Sequence, residues 1–454
     1  MTEPSVTDRP ILTRPVVQSH EPTNLGKGTK EHTMETFQRL ESEVRGYCRN
    51  WPVVFDKAVG SQVYDETGKP YLDFFAGAGS LNYGHNHPEL KNKLVEYITD
   101  DKIIHSLDAY SASKREFLKT FEEIILKPRG LDYKVQFPGP AGNNAVEAAL
   151  KLARKYTGRQ TIINFTNGFH GMTLGALAVT GNSMKRGGAG VPLDHVATMP
   201  FDNYLDGQIP DFLWLRSLLE DSGSGLDKPA AVIVETIQGE GGINAASAKW
   251  LRGLSELCRE YDMLLIVDDI QMGCGRTGGF FSFEEAGITP DIVTLSKSIS
   301  GYGLPMALTM FKRELDVWDP GEHNGTFRGF NPAMVTGSEA LRLFWQDDSF
   351  AEATKAKGDM VAARLQEIAE EHPETGAHVR GRGLARGLAF ERADVAKKLA
   401  AESFDRGLLL ETSGPEDEVA KLLPPLTATD EELSSGLDVM AEAARAAVKV
   451  SQPA

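Results

Sequence analysis

Short runs of mostly apolar residues recur in the middle of the chain, and they restrict its fold more than any other feature. They are AAVIVETI (Ala230–Ile237), MLLIV (Met263–Val267) and the apolar part of DIVTL (Ile292–Leu295). A strand with one face in water alternates apolar and polar residues, whereas a strand covered on both faces is apolar throughout. A predicted helix near Leu251–Tyr261 joins the first two runs into a β-α-β unit. The pattern therefore predicts an α/β fold with a mostly parallel central sheet flanked by helices.

The chain has 454 residues, which is too long for a single hydrophobic core and predicts more than one domain. Prolines among polar residues predict that residues 1–33 are a flexible N-terminal extension. We expect residues 90–344, where helix and strand patterns alternate, to form the large domain. Residues 34–89 and 345–454 are expected to pack together as a smaller α+β domain built from both chain ends.

Local patterns predict where two helices lie. METFQRLESEVRGY is a predicted helix with Phe37, Leu40 and Val44 on one side. Near the C-terminus, Thr429 and Glu432 have the spacing of a capping box, which predicts that the last helix begins there.

The charge balance argues against some kinds of partner. With 48 basic and 64 acidic side chains the formal net charge is −16, which disfavours nucleic acid and anionic membranes as general partners. No apolar run approaches the ~18 residues that span a bilayer, and the N-terminus lacks the apolar core of a signal peptide. Cys48, Cys258 and Cys274 are too few for a disulfide framework and form no C-x-x-C motif. We therefore expect a cytoplasmic protein with reduced thiols.

A single lysine, Lys297, follows the apolar run Ile292–Leu295 and precedes the small-residue turn SISGYG. In open α/β sheets the carboxyl ends of the strands carry the chemistry. A lysine that is desolvated there has a lowered pKa and can add to a carbonyl group. The alternative, on this stretch alone, is a surface lysine that caps the edge of a strand.

Side chains with complementary chemistry follow other predicted strands. Asp268 ends the run MLLIVD, where a carboxylate requires a cation such as a protonated ring nitrogen, and Gln271 is near enough to reach a ring hydroxyl. Phe169 and His170 follow the predicted strand Thr161–Phe165, and an aromatic side chain there can stack on a flat ring. The alternatives are a loop-capping carboxylate for Asp268, a core position for Phe169 and a satisfied buried histidine for His170.

Two further segments offer donors to an anion. The predicted helix Gly142–Gly158 begins with Gly142 and Asn143, and the free amides and dipole of a helix N-terminus favour a phosphate. Thr326, in the loop HNGTFRG, is a weaker candidate donor, and an ordinary helix start is the alternative for the first segment. Together, an anion site, a carboxylate, an aromatic ring and a lysine predict a site for pyridoxal 5'-phosphate (PLP).

In order and spacing, these residues resemble the class III (ω-amino acid) aminotransferases of PLP fold type I. The resemblance covers about residues 34–450 and rests on the motifs AGNNAVEAALK, GFHGMTLGALAVTGN, ETIQGEGG, VDDIQMGCGRTGGFF and EHNGTFRGFNP. It implies the PLP-dependent transferase fold of type I, with the smaller α+β domain described above. Within the class, SKSISGYGLPMA and ETSGPEDEVAKLLPPL are similar to the diaminobutyrate–2-oxoglutarate transaminases of ectoine biosynthesis.

The resemblance implies a role at the cofactor for several candidate residues. Lys297 would hold PLP covalently and later move the substrate proton, and Asp268 would keep the pyridine nitrogen protonated. Gln271 would bond the ring oxygen. Phe169, next to His170, would cover the face of the ring.

Phosphate and substrate contacts are also implied by the resemblance. Gly142 and Asn143 would bind the phosphate, joined by Thr326 from the other subunit, because the family builds its active sites across a dimer interface. A homodimer or a dimer of dimers with shared active sites is therefore expected. Glu240 in ETIQGEGG matches the glutamate that lets one pocket accept both glutamate and a terminal amine.

The chain departs from the class where substrate and phosphate bind. Many members have Ser-Gly-Ser where this chain has Ala141-Gly142-Asn143. Met172 and Lys421 stand where ornithine-type members have arginines, which bind carboxylates bidentately, whereas a lysine offers a point charge. Lys421 is still a candidate partner for a substrate α-carboxylate, with a surface lysine at a strand end as the alternative.

The histidines of the loop YGHNHP, His85 and His87, match a loop at the pocket mouth in the class. No cysteine or aspartate lies near these histidines in the sequence at the spacing that is typical of metal ligands. We therefore predict a structural role for this loop and no metal site.

The resemblance implies transfer of the amino group of L-glutamate to L-aspartate 4-semialdehyde, the first step of ectoine biosynthesis. Other class III activities stay open, on ornithine, GABA or the diaminobutyrate of siderophore pathways, as does a PLP-dependent aminomutase. A PLP-binding regulator without turnover fits poorly, because residues 1–33 are too short for a DNA-binding domain and the net charge of −16 disfavours DNA.

Overall fold

The computed structural model of the protein describes residues 30–206 and 212–451. Its contacts separate two compact units, Met1–Val54 and Phe55–Ala454. The predicted flexible extension lies outside the described residues as far as residue 29. Among the described residues, no helix combines the length and apolar character that a membrane crossing requires.

The first unit contains helix α1 (Lys30–Leu40) and a short helix, Tyr47–Asn50. The predicted helix through Val44 is therefore wrong in its second half. Beyond α1, the hydroxyl of Ser42 accepts a hydrogen bond from the backbone N–H of Val44 at 3.4 Å. Such local bonds from side chain to backbone compete with helical pairing. Val44 is exposed rather than packed along a helical stripe.

The second unit contains the strands of the fold. In chain order they are β1 (Phe55–Val59), β2 (Gln62–Asp65), β3 (Pro70–Asp73), β4 (Tyr133–Gln136), β5 (Ile162–Phe165), β6 (Val196–Met199), β7 (Ala231–Val234), β8 (Ile237–Gln238), β9 (Asn244–Ala245), β10 (Leu264–Asp268), β11 (Ile292–Leu295), β12 (Leu308–Lys312), β13 (His378–Arg382), β14 (Ala385–Ala389), β15 (Leu408–Leu409), β16 (Glu411–Ser413) and β17 (Val419–Leu422). The central sheet has the order β4-β12-β11-β10-β7-β5-β6. Strands β11, β10, β7, β5 and β6 are parallel, and β12 is antiparallel to both of its neighbours. The predicted mostly parallel sheet is confirmed.

The predicted apolar runs form the interior of this sheet because both of their faces are covered. In β10, Leu265 and Val267 belong to the hydrophobic cluster on one face, and Ile266 belongs to the cluster on the other. In β11, Val293 and Ile292 divide between the two clusters in the same way. Alternate side chains of a strand point to opposite faces. A run without polar alternation is therefore what burial on both faces requires.

Helices cover both faces of the sheet. The longer helices of the second unit are α2 (Pro88–Thr99), α3 (Ala112–Phe121), α4 (Gly142–Thr157), α5 (Leu213–Glu220), α6 (Ala248–Glu260), α7 (Asn331–Phe344), α8 (Ser349–Glu371), α9 (Ala393–Asp405) and α10 (Asp430–Ser451), and shorter helical segments include Ala76–Gly79, Leu174–Ala178 and Ser183–Gly187. Helix α4 packs through Val146 and Leu150 on one face, and α6 packs through Trp250 and Leu254 on the other. As predicted, α4 begins at Gly142 and ends before a left-handed glycine, which caps it.

Segments from both ends of the second unit build the smaller sheets. Strands β1, β2, β3 and β15 form one sheet, in which Leu408 of β15 pairs in parallel with Leu72 of β3. Strands β13, β14, β17 and β16 form a second, antiparallel sheet. One hydrophobic cluster joins Leu72 to Leu365 of α8, Leu399 of α9 and Met440 of α10. These sheets and helices form the smaller α+β part of the predicted fold. The domain boundaries near residues 89 and 344 stay a prediction.

The last helix begins as predicted. The N–H of Thr429 donates to Oε2 of Glu432 at 2.9 Å, and the N–H of Glu432 donates to Oγ1 of Thr429 at 3.2 Å. This reciprocal pair is a capping box, and α10 follows at Asp430.

Candidate active site

A cavity of about 430 Å³ opens at the carboxyl ends of β7, β10 and β11. Its wall includes Glu235 after β7, Asp268 at the end of β10 and Lys297 after β11. This edge is where open α/β sheets bind ligands. The predicted site residues that line the cavity are Gly142, Asn143, Phe169, His170, Glu240, Asp268, Gln271 and Lys297. Thr326 and Lys421 are not among its lining residues.

Lys297 begins the turn that follows β11. Its backbone has a φ of +52°, in the left-handed region that costs energy for a residue with a side chain. The hydroxyls of Ser296 and Ser298 each donate to a backbone carbonyl at 2.9 Å and fix the turn on either side. Burial lowers the pKa of the Lys297 amine to about 8, because the charged form loses hydration. A larger fraction of this amine is therefore neutral and nucleophilic at neutral pH than for an exposed lysine.

The carbonyl that receives the Lys297 amine belongs to a left-handed turn, Ala76–Gly79, in which every residue has a positive φ. The carboxylate of Asp73 accepts two backbone N–H groups at 2.8 Å at the start of this turn. The carbonyl of Ala78 accepts from Nζ of Lys297 at 2.9 Å and from Nε2 of Gln271 at 3.0 Å. The direction of this carbonyl depends on the left-handed turn, which sequence reasoning missed.

Asp268 is fixed at the end of β10 by three donors. Nδ1–H of His170 donates to Oδ2 at 2.7 Å, and the hydroxyl of Thr294 and the N–H of Ile270 donate to Oδ1 at 3.0 and 3.2 Å. Burial alone would lower the pKa of His170, but the hydrogen bond and negative charge of Asp268 outweigh it and raise that pKa. The side chain is thus oriented by its neighbours while the residue still lines the cavity. The hydrogen bond from the N–H of Ile270 also caps the loop that follows β10. The alternative interpretation of Asp268, as a loop-capping carboxylate, therefore holds as well.

Glu235 is a buried carboxyl group that the sequence analysis did not single out. Its Oε1 accepts from the backbone N–H of Phe169 at 3.0 Å. Burial raises the pKa of Glu235 to about 8, so it is mostly protonated at neutral pH. The signal was available, because Glu235 ends the apolar run AAVIV in the same way that Asp268 ends MLLIV.

Phe169 and His170 approach the cavity from the loop after β5. Phe169 is part-buried and lines the cavity, which excludes the alternative of a fully buried core position. Nζ of Lys185 lies 4.3 Å from the centre of its ring, at cation–π distance. His170 is a satisfied buried histidine and also a lining residue, so both interpretations hold for it.

The N-terminus of α4 forms another wall of the cavity through Gly142 and Asn143. First-turn N–H groups have no acceptor within their own helix and suit an anion. Oδ1 of Asn144 accepts the N–H of Ala141 at 3.1 Å and fixes the chain as it enters the helix. A Cβ on Gly142 would lie 3.0 Å from Cδ1 of Ile270, so glycine at this position avoids crowding the wall.

A chain of polar contacts continues from the cavity wall into the smaller part of the fold. Nε2 of Gln271 donates to Oε1 of Glu240 at 3.2 Å, and Nζ of Lys421 donates to the same oxygen at 2.7 Å. Nζ of Lys421 also lies 2.9 Å from Oε1 of Glu411. Burial alone would raise the pKa of Glu240, but the charges of Lys421 and Lys297 hold it at about 2.

The side chain of Lys421 is 0% exposed, so the alternative of a surface lysine is wrong. Its two carboxylate partners offset the cost of burying the charge and raise its pKa. Glu411 was missed because an isolated glutamate in ETSG carries no sequence signal of its own.

Thr326 lies away from the cavity, at the start of the short helix Thr326–Gly329. It is exposed, and its backbone carbonyl contacts Nε2 of His105 at 2.6 Å. Its side chain therefore takes no part in the cavity of its own chain, and the expected role in the site of another subunit stays a prediction.

The loop with His85 and His87 lies beside the first small sheet. Nε2 of His85 contacts Oδ2 of Asp73 at 2.7 Å, so this histidine orients the carboxylate that starts the left-handed turn. Among residues 30–206 and 212–451, no group of three or more His, Cys, Asp or Glu side chains is placed to hold a metal ion.

Residues 46–444 match the sequence model of the class III aminotransferases. The chain is 63% identical over 413 residues to a diaminobutyrate–2-oxoglutarate transaminase of Streptomyces avermitilis, which covers 91% of this chain and 98% of that protein. It is 56% identical over 419 residues to a protein of the same name from Halalkalibacterium halodurans, with 92% and 98% covered. A crystal structure of ornithine aminotransferase from Toxoplasma gondii superposes with a TM-score of 0.80 at 26% identity, covering 93% of this chain and 96% of that one.

Proposed function

The chain belongs to the class III aminotransferases, which are PLP-dependent enzymes, and we propose that it transfers the amino group of L-glutamate to L-aspartate 4-semialdehyde. The products are L-2,4-diaminobutyrate and 2-oxoglutarate. The observation that carries this proposal is the 63% identity, over 91% of the chain, to a protein named for this reaction. The motif resemblance supports a place as the first step of ectoine biosynthesis, and the three free thiols fit a cytoplasmic enzyme.

The cavity fits PLP in size and in chemistry. Its volume of about 430 Å³ is that of a small-molecule site. It combines an amine, a carboxylate, an aromatic ring and a helix N-terminus at which glycine leaves the wall uncrowded. When bound, PLP supplies a carbonyl carbon that accepts amino groups and a ring that accepts electrons.

Each residue contributes one property to this chemistry. The part-neutral amine of Lys297 would hold the cofactor and carry a proton to or from the substrate. Asp268, oriented by His170, would keep the ring nitrogen protonated through its negative charge. The first-turn amides at Gly142 and Asn143 would bind the phosphate.

The remaining cavity residues position the ring and the substrate. Phe169 would cover the face of the ring. Gln271 would bond the ring oxygen, for which one of its two N–H groups has to leave Ala78 or Glu240. The carboxylate of Glu240 pairs with the amine of Lys421 until a carboxylate of the substrate replaces it. One cavity can then serve two substrates of different charge. The 2.7 Å contact between Lys421 and Glu240 supports this exchange, because the two groups are neighbours in the polar chain that starts at the cavity wall.

A substrate panel tests the proposed function. Purified holoenzyme should convert L-2,4-diaminobutyrate with 2-oxoglutarate at a kcat/KM at least about tenfold above its values for ornithine and GABA, a difference of about 1.4 kcal/mol in transition-state binding. Coupled detection of glutamate measures all three reactions. A preference for ornithine or GABA would assign the other class III activities, and turnover without an oxo acid would indicate an aminomutase.

We further propose a homodimer in which Thr326 completes the site of the partner subunit. Thr326 is exposed, and so are the apolar side chains of Phe327 beside it, of Leu107, whose backbone packs against Gly329, and of Tyr110. Exposed apolar side chains of this kind support an interface there. Mixed dimers test this arrangement. Lys297→Ala and Thr326→Val variants should each be impaired alone, whereas co-expressed and co-purified chains should regain activity, because one site of each mixed dimer has both residues intact.

The same experiment can contradict the shared site. If Thr326 served the cavity of its own chain, mixed dimers would be no more active than the Thr326→Val enzyme by itself. Activity per PLP of tag-selected mixed dimers, compared with each parental dimer, separates the two arrangements.

A further inference from the structure

Two segments that lie far apart in the chain are joined beside the candidate phosphate donor. One is residues 104–108, before α3, and the other is residues 326–331, which lead into α7. The backbone N–H of Ser106 donates to the carbonyl of Gly329 at 2.9 Å. A Cβ on Gly329 would lie 2.1 Å from the carbonyl oxygen of Leu107, so glycine is what permits this close approach of the two backbones. The first segment therefore forms a fixed base for the second.

Further contacts join the ends of the two segments. The backbone N–H of Asn331, which is fully buried, donates to the carbonyl of Ile104 at 2.9 Å. Nη2 of Arg328 lies 3.2 Å from Oδ2 of Asp108 in an ion pair near the surface, which contributes less to stability. These contacts hold the second segment from Arg328 onward, and Thr326 lies before them in the chain.

His105, in the first segment, contacts Thr326 directly. Its Nε2 lies 2.6 Å from the backbone carbonyl oxygen of Thr326, and its ring packs edge-on against the ring of Phe327, with the ring centres 5.3 Å apart. A carbonyl oxygen can only accept a hydrogen bond, so Nε2 carries the hydrogen and donates it. The neutral ring in this tautomer and the charged ring both make the bond. The contact therefore fixes the peptide group of Thr326 in either charge state of the histidine.

The direction of the Thr326 side chain depends on this peptide group. Threonine is β-branched and has few accessible χ1 rotamers, so its backbone largely sets where the hydroxyl lies. An exposed residue in a loop samples more orientations when nothing holds its backbone. A backbone that is fixed beforehand reduces the entropy that is lost when the hydroxyl binds a ligand.

We propose that His105 is a positioning residue for the phosphate group of PLP in the partner subunit: it fixes the peptide group of Thr326, so that the threonine hydroxyl is presented across the interface. The inference rests on the proposed shared site and deepens it. His105 is not among the residues that line the cavity of its own chain. Its effect on cofactor binding is therefore exerted through Thr326 and appears in the site of the other chain.

The variants His105→Gln and His105→Asn test the contact itself. Glutamine carries an N–H donor as many bonds from the backbone as Nε2 of histidine, whereas the donor of asparagine is one bond closer to the backbone. Each purified holoenzyme is diluted into buffer with inorganic phosphate, and the release of PLP is followed by visible absorbance. Release should stay within about twofold of the wild-type rate in His105→Gln. It should be at least about threefold faster in His105→Asn, the change that loss of one neutral hydrogen bond produces.

His378→Asn is the matched control. His378 is exposed on β13, in the smaller α+β part of the fold, and its Nδ1 lies 3.3 Å from the carbonyl oxygen of Gly376. The same substitution thus replaces another histidine that contacts a backbone carbonyl. Release of PLP should stay within about twofold of the wild-type rate. Gel filtration and thermal unfolding of every variant separate loss of the dimer or the fold from loss of PLP.

Mixed dimers show in which site the effect appears. When a Lys297→Ala/His105→Asn chain pairs with a wild-type chain, gel filtration removes PLP from the site without Lys297, and the remaining site receives Thr326 from the doubly substituted chain. Release from this site should be as fast as from the His105→Asn homodimer, although the His105 of its own chain is intact. In a dimer of Lys297→Ala with His105→Asn, release should return to the wild-type rate. A structural role of His105 within its own chain would give the reverse pattern.

Two results would overturn the proposal. One is equal release of PLP from His105→Gln and His105→Asn, and the other is fast release that follows the substituted chain's own site in the mixed dimers. The mixed dimer needs only one substituted segment, so the comparison survives if His105→Asn homodimers are unstable. In both cases the proposed shared site stands if Thr326→Val complements Lys297→Ala. Failure of that complementation would contradict the shared site and the inference together.

Discussion

The Lys297→Ala variant is expected to lose at least about 10³-fold in the rate of amino-group transfer from L-glutamate, because in the proposed function this one residue supplies both the nucleophile and the proton carrier. The amine is held at the carboxyl end of β11, is depressed in pKa to about 8, and contacts the carbonyl of Ala78 at 2.9 Å. The variant should also lose PLP on gel filtration, since the covalent attachment is gone. Steady-state assay and the visible spectrum of the purified protein measure the two effects.

A matched control is Lys312→Ala. Lys312 belongs to β12 of the same sheet, where its Nζ donates to Oδ1 of Asp291 at 2.6 Å, at the end opposite the cavity. Its removal should change the rate less than about twofold, as for most surface substitutions. A Lys297→Ala enzyme that keeps more than a few per cent of wild-type activity, in a preparation free of wild-type chain, would contradict the assignment. Partial recovery with added small amines would support the proton-transfer role.

The position of Lys297 could be predicted because strand burial leaves a strong pattern in the sequence. Each apolar run had to be covered on both faces, which fixes a parallel sheet, and the residue after each run then lies at one edge. Asp268 and Lys297 follow two such runs and therefore line the same cavity, although they are far apart in the chain. Glu235 follows the same rule and shows that it also identifies buried carboxyl groups outside the predicted set.

Other parts of the site depend on contacts between distant segments and leave no local pattern. Glu411 meets Lys421 through the register of β16 and β17, which the sequence does not specify. Arg276 is similar: it is fully buried and donates to Asn82 Oδ1 and to the carbonyls of Leu384 and Pro424. A buried arginine is rare by composition alone. Its partners come from three separate stretches of the chain, so only the fold reveals them.

Asp268→Asn is expected to lower kcat by about 10²–10⁴-fold while leaving the fold intact. An amide of the same shape has a single acceptor oxygen, which can still accept from the hydroxyl of Thr294 at the 3.0 Å contact, while its NH2 group can donate to Nδ1 of a neutral His170 at the 2.7 Å contact. What the substitution removes is the negative charge, and with it the stabilisation of a protonated ring nitrogen. The half-reaction with L-glutamate, followed at single turnover, measures this effect without interference from product release.

The neighbouring carboxylate provides the control for that experiment. Asp269 is also buried, but it accepts from the N–H of Ser282 at 3.0 Å and from its hydroxyl, and it is not among the lining residues of the cavity. Because its hydrogen bonds are with Ser282 and it does not line the cavity, its replacement should affect stability more than chemistry. Asp269→Asn should therefore lower Tm and keep kcat within about tenfold of the wild type. Equal rate losses in the two variants would mean that buried charge in general, and not the placement of Asp268 on the cavity wall, supports turnover.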